Sequence, residues 1–200
     1  GVIPGIFTDE PDFRPNLQKG INLPWPNNFQ EQFKKQKGYD IVENLPKLFL
    51  DIGNFRKVRF DFWDVVSGLF VKNFTKNIYD WCEGNGLKLT GHFWEHAFPD
   101  PSYNGSVMPN YEFMQVPGID ILFNTEEEDV QVGNAFIVKE VSSVANQLGK
   151  ERVLSETYGA SGWELDFAEQ KRVADWQFAL GINLVCQHLV HLSLKGYRKR

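Results

Sequence analysis

Two hydrophobic periods alternate along most of the chain. In residues 60–86, FDFWDVVSGLFVKNFTKNIYDWCEGNG, the positions Phe62, Val65, Val66, Leu69, Phe70, Phe74, Ile78 and Trp81 are apolar. That recurrence at three and four residues predicts one buried face of a helix, and Gly84 or Gly86 supplies the left-handed stop. LKLTGHF and IDILF (119–123) then read as short buried strands. AFIVKEVSSVANQLG returns to the helical period, with Ile137, Val141, Val144 and Leu148 on one face and Gly149 as the cap. RVLSE is a strand again. In DFAEQKRVADWQFALG, Asp166 and Glu169 have capping-box spacing and Gly181 closes the helix. INLVCQHLVHLS is the last strand, and VIPGIFTDE, far upstream, is the first.

Strands alternating with helices at these spacings predict parallel strands joined by crossover helices. A doubly wound nucleotide binder carries a glycine-rich turn after its first strand, and none is present. Nearly every strand instead ends in polar or reactive residues: TDE, GHFWEH, SETYG, QHLVH. Catalytic residues of (β/α) barrels stand at those carboxyl ends. The expected fold class is therefore α/β, a (β/α)8 TIM barrel. Only roughly five strands are countable, so residues 1–200 read as one partial barrel domain holding strands four to eight. Residues 11–51, rich in Pro and Asn with one short helical piece, and residues 97–118 are expected as long loops over the barrel mouth.

Composition narrows the function classes. Seventeen Phe and six Trp in 200 residues exceed what a core alone asks for, and sugar-binding clefts favour flat aromatic faces. The net charge of -5 opposes a nucleic-acid partner, and the terminal RKR is too short to reverse that. No apolar run reaches membrane-spanning length and no secretory leader opens the chain. Cys82 and Cys186 lack metal-like spacing and read as two buried thiols.

Glu10 and Glu156 are the central candidates, because each directly follows a short apolar strand. Glycoside cleavage needs two carboxylates across one bond: one protonated for the departing oxygen, one to attack the sugar or activate water. Burial beside aromatic rings raises one acid while the other stays ionised. Helix caps and salt-bridge partners are the plainer roles for such residues. The stretch His92-Phe93-Trp94-Glu95-His96 matches an inverted zinc-hydrolase pattern, but that chemistry needs both histidines on one helix face. Here His92 ends a strand and Pro99 limits any helix. His92, Trp94, Glu95 and His96 are instead expected to line a cleft, with Trp94 as a platform. Trp25, Tyr158 and Trp163 are further platforms. Gln187 and His191 alternate with His188 on the last strand, and His188, nearer the strand end, is expected to bind sugar hydroxyls together with His92.

FTDEP, GYD, LPKLF, YDWCEGNGLKLTGH, PGID, SSVANQLGKERVLSETYGASGW, DWQFALGINLVCQHL and GYRKR together resemble the catalytic barrel of glycoside hydrolase family 106, the α-L-rhamnosidases, and of related family 2-like sugar hydrolases of bacteria. The resemblance implies that strands one to three and β-sandwich domains belong to a larger parent chain. It implies a terminal sugar, an α-L-rhamnoside of a poly- or oligosaccharide, as substrate, with Glu10 as general acid and Glu156 as base or nucleophile. It also implies inversion, and calcium at the sugar hydroxyls, for which Asp9, Asp12 and Glu95 are candidate ligands beside Glu10; Asp9 is equally placed for substrate. Retaining relatives carry Asn where this chain has Asp9. The rival readings are a carbohydrate-binding barrel without turnover and a zinc hydrolase on His92 and His96.

Overall fold

A computed structural model describes residues 2–14, 22–122, 134–162, 165–188 and 195. Among them the fold is mixed α/β, and every strand pair is parallel. Strand β1 (Gly5–Thr8) pairs with β2 (Lys88–Gly91). Strands β3 (Gly118–Leu122), β4 (Leu154–Gly159) and β5 (Leu184–Gln187) form a second sheet in that order. The two sheets meet edge to edge: the Val116 N–H donates to the Leu89 carbonyl at 3.1 Å. A side chain on Gly118 would stand 2.5 Å from the Gly91 carbonyl oxygen, so only glycine fits that junction.

Between β1 and β2 lie α1 (Phe29–Lys37), the one-turn α2 (Pro46–Phe49), α3 (Phe55–Phe70) and α4 (Lys76–Gly84). The expected long helix is thus α3 and α4 joined through a π-helical turn, Val71–Thr75. Gly86, at φ 66, is the left-handed residue after it, whereas Gly84 is still helical. The segment expected as a mouth loop contains α1, which sequence periodicity did not suggest. Its sequence FQEQFKKQK buries only Phe29 and Phe33, too few for a clear stripe. Those rings meet Ile41, Val58, Phe62, Val65 and Val66 in a core of their own. Residues 92–117 connect β2 to β3 and contain the 3-10 turn Glu95–Ala97 and the one-turn α5 (Met108–Tyr111).

Helices α6 (Asn134–Gln147) and α7 (Phe167–Leu180) are the crossovers of the second sheet. Alternation decides which strand residues meet them. Ile119 and Ile121 of β3 bury against Ile137, Val138 and Val141 of α6, so Asp120 points to the opposite face. The Asp166 side chain accepts from the Glu169 N–H at 2.8 Å, and Gly181 ends α7 at φ 116. Cys82 and Cys186 are free thiols, Cys82 buried and Cys186 only partly so.

Candidate functional site

The chemistry gathers just past the ends of β1 and β2 and on the adjoining face of β3 and β4. His92 continues the β1–β2 ladder by donating its N–H to the Thr8 carbonyl at 3.0 Å. Its ring is buried and packs edge-on to Phe7, centroids 5.5 Å apart. Nε2 lies 2.9 Å from Glu156 Oε2 and 3.7 Å from Asp9 Oδ1. One ligand atom each of Glu10, His92 and Asp120 lie within 4.8 Å of one another. Asp120 and Glu156 are register partners on adjacent strands, which brings their side chains to one face. Residues 110 positions apart in sequence therefore meet at one imidazole, and Glu10 and Glu156 share its surroundings.

Glu10 owes its placement to an uncommon backbone. Its φ is 44, left-handed for a residue with a side chain, a conformation that persists only when neighbours enforce it. Here the Trp94 indole N–H donates to the Glu10 carbonyl at 3.1 Å. The Asn104 amide donates to the Pro11 carbonyl at 2.6 Å while its oxygen accepts from the Trp94 N–H at 2.9 Å. Glu10 Oε1 stands 3.9 Å from His96 Nε2.

The electrostatics follow from burial. Burial raises Glu10 above its usual carboxylate range, offset in part by His92. Asp120 is pushed up to about 7 by burial, with Glu156, Glu10 and Asp9 adding to the rise. Glu95 reaches about 8 for the same first reason, despite the nearby His92. His92 moves against its own burial: Glu95, Asp120 and Glu156 lift it above an ordinary histidine. His96, partly buried and close to His92, falls to about 4. The result is a histidine that holds its proton more readily than usual, among acids that burial also keeps protonated to higher pH.

Several expected residues lie elsewhere. Glu95 sits beneath the site: its Oε1 accepts from the Phe93 N–H at 3.0 Å and the Tyr111 hydroxyl at 3.3 Å. Asp12 is held by its own neighbour, Arg14, at 2.8 Å, so its carboxylate is already neutralised. Trp94 is a brace, its ring under the Arg14 guanidinium (4.6 Å) and against Tyr103 (5.0 Å). Trp25 packs edge-on to Phe29 of α1, centroids 4.8 Å apart. Tyr158 is an extra residue in β4, where Ile121 pairs with Thr157 but Leu122 with Gly159. This bulge, with φ 72, turns its ring to the helices, where its hydroxyl donates to the Gln170 carbonyl at 2.8 Å. His188 is exposed just after β5, donating its N–H to the Thr157 carbonyl at 3.0 Å. Trp163 and His191 lie outside the described residues. The helix face that a zinc site on His92 and His96 requires is absent: His92 follows a strand, and Glu95–Ala97 is a single 3-10 turn.

Asp120 is the residue that sequence reasoning passed over. GIDIL was read for its apolar run, yet a lone carboxylate there must face away from Ile119 and Ile121. For a cation, the ligand atoms of Glu10, His92 and Asp120 lie close enough to share it, the oxygens of Glu10 and Asp120 suit calcium, and Asp9 Oδ1 stands beside them, 3.7 Å from His92 Nε2. Asp120 Oδ1 is buried without a hydrogen-bond partner among the described residues.

Comparison with known proteins assigns this arrangement to a family. A curated relative from Formosa agariphila, a putative β-glucuronidase, is 28% identical over 169 residues, covering 82% of this chain but 13% of its own length. The solved structure of a rhamnosidase from Novosphingobium sp. PP1Y matches with TM-score 0.65 at 23% identity, covering 83% of this chain and 16% of that one. This chain thus spans a small part of both. The family model described as α-L-rhamnosidase, glycoside hydrolase family 106, matches residues 18–197, which includes Glu156 and Asp120 but not Glu10. With nine-tenths of its length inside that match, the chain belongs to glycoside hydrolase family 106.

Proposed function

We propose that the protein carrying this chain hydrolyses a terminal α-L-rhamnoside of a poly- or oligosaccharide, with Glu10 as general acid and Glu156 as the second carboxylate. The observation that carries the reading is the convergence on His92 of two acids 146 residues apart in sequence. Burial keeps a proton on Glu10 more readily than on a free carboxylate, as an acid for the departing oxygen must. Glu156 Oε2 lies 2.9 Å from His92 Nε2, which holds its carboxyl group in place to attack or to activate water.

The strands fit a (β/α)8 barrel of which they would be the fourth to eighth. They lie side by side in chain order without the reversal of a doubly wound sheet; Glu10 follows the carboxyl end of β1, and Asp120 and Glu156 share one face of β3 and β4. A calcium ion would fit Glu10, Asp120 and Asp9; when bound, it would orient and polarise sugar hydroxyls. Those three residues would hold it, while Asp12 and Glu95 are committed to Arg14, Phe93 and Tyr111.

A panel of 4-nitrophenyl glycosides on the full-length protein tests the substrate. Release from the α-L-rhamnoside well above the β-D-glucuronide is expected. Binding of sugars with release from none would instead favour a barrel that only binds carbohydrate.

A further inference from the structure

A second concavity lies behind the acids. It is a cavity of about 640 Å³ between α3, the π-helical turn and the β2–β3 connection, within the size range of small-molecule pockets. Its walls are rings: Phe60 and Trp63 on one side, Trp94, Phe98 and Phe113 on the other. Four acids line it, Asp64, Glu95, Asp100 and Glu140, with Lys72 and Lys76; burial raises Glu95 to about 8 and Glu140 to about 7. Glu95 is buried, and its Oε2 has no hydrogen-bond partner among the described residues.

Two features of α3 are unexplained by packing. Gly68 stands inside the helix and lines the cavity, yet a side chain there would meet nothing within 4 Å. Glycine in a helix interior is costly, and no crowding demands it here; its effect is to leave the space open. Directly after it the helix widens into the π turn Val71–Thr75, and Val71 and Lys72 of that turn line the same space. Such turns cost regular hydrogen bonding and concentrate at functional sites.

We propose that this cavity is a binding site for a small uncharged ring compound of the phenol or naphthol class, distinct from the carboxylate site. The ring walls supply stacking faces, and the unpartnered Glu95 oxygen supplies a place for one hydroxyl. A charged ligand would lose its hydration to a largely apolar wall. Trp94 closes the cavity on one side and holds the Glu10 carbonyl from the other, so the two sites share a wall.

Titration with 2-naphthol, read by quenching of tryptophan fluorescence, tests this, because Trp63 and Trp94 both face the space. Saturable one-to-one binding is expected. Gly68→Leu sends a side chain from an open Cβ position toward the cavity and should weaken binding at least tenfold while the circular dichroism spectrum holds. Gly68→Ala should give an intermediate loss, and it decides the matter if the leucine variant does not fold. Absence of saturable binding to the unsubstituted protein, or equal binding by the folded Gly68 variants, would overturn the proposal. Neither result depends on which glycoside is cleaved.

Discussion

His92 is the residue on which the site is organised, and its partners make it testable. Three carboxylates, those of Glu95, Asp120 and Glu156, lift it against burial. Removing one of them in Asp120→Asn lowers the pH at which the imidazolium loses its proton, and an NMR titration of the His92 ring would record the fall. Glu95 offers a stability readout. Its carboxyl stays protonated in the fold up to about 8, against 4.5 as an ordinary side chain. Between those values the folded state holds a proton that the unfolded chain has released. The stabilisation is therefore complete below about 4.5 and drains away as pH rises to about 8. Glu95→Gln, neutral throughout, should flatten that slope in denaturant melts taken from pH 5 to 8. Persistence of the slope would place the proton elsewhere. Glu10 and Glu156 were legible in sequence because each is the polar residue that ends an apolar run. Asp120 was not, because one acid inside GIDIL looks like an interruption until the strand's two faces are separated.

Elements explain why the other expectations divided as they did. The period-two and period-3.6 runs revealed β2 to β5, α6, α7 and the α3–α4 helix, since each is a strongly apolar segment and the three helices are closed by Gly86, Gly149 and Gly181. Helix α1 was illegible because two rings suffice to bury it. Tyr158 was read as a site residue from its place beside Glu156. The bulge in β4 sends it to α7, and nothing in SETYG announces that a residue is inserted. Close approach of β1 and β2 is an element-scale constraint of the same kind. Gly91 has φ 123, and a Cβ there would collide with the Thr8 backbone. Gly91→Ala should therefore destabilise the fold by about 3 kcal/mol or more, through overpacking and backbone strain together. A urea melt that moves by less than about 1 kcal/mol would mean that the strand pair opens at little cost.

At the scale of the molecule, the described strands present one face to the helices and the other to the acids. That second face is incompletely covered: Phe7 is 41% exposed and Leu184 38%. β1 and β5 each pair on one side only among the described residues. The chain spans 13% and 16% of the relatives it matches, so catalysis is a question for the full-length protein. The most direct measurement is the dependence of turnover on leaving group in its Glu10→Gln and Glu156→Gln variants, using α-L-rhamnosides of 4-nitrophenol and 2,4-dinitrophenol. A leaving group as acidic as dinitrophenol needs no proton. Glu10→Gln should therefore lose about 100-fold or more in kcat on the nitrophenyl substrate and recover on the dinitrophenyl one. Glu156→Gln should be slow on both. Equal losses on the two substrates in Glu10→Gln, or unchanged turnover on the 4-nitrophenyl one, would contradict the assignment of Glu10 as the acid.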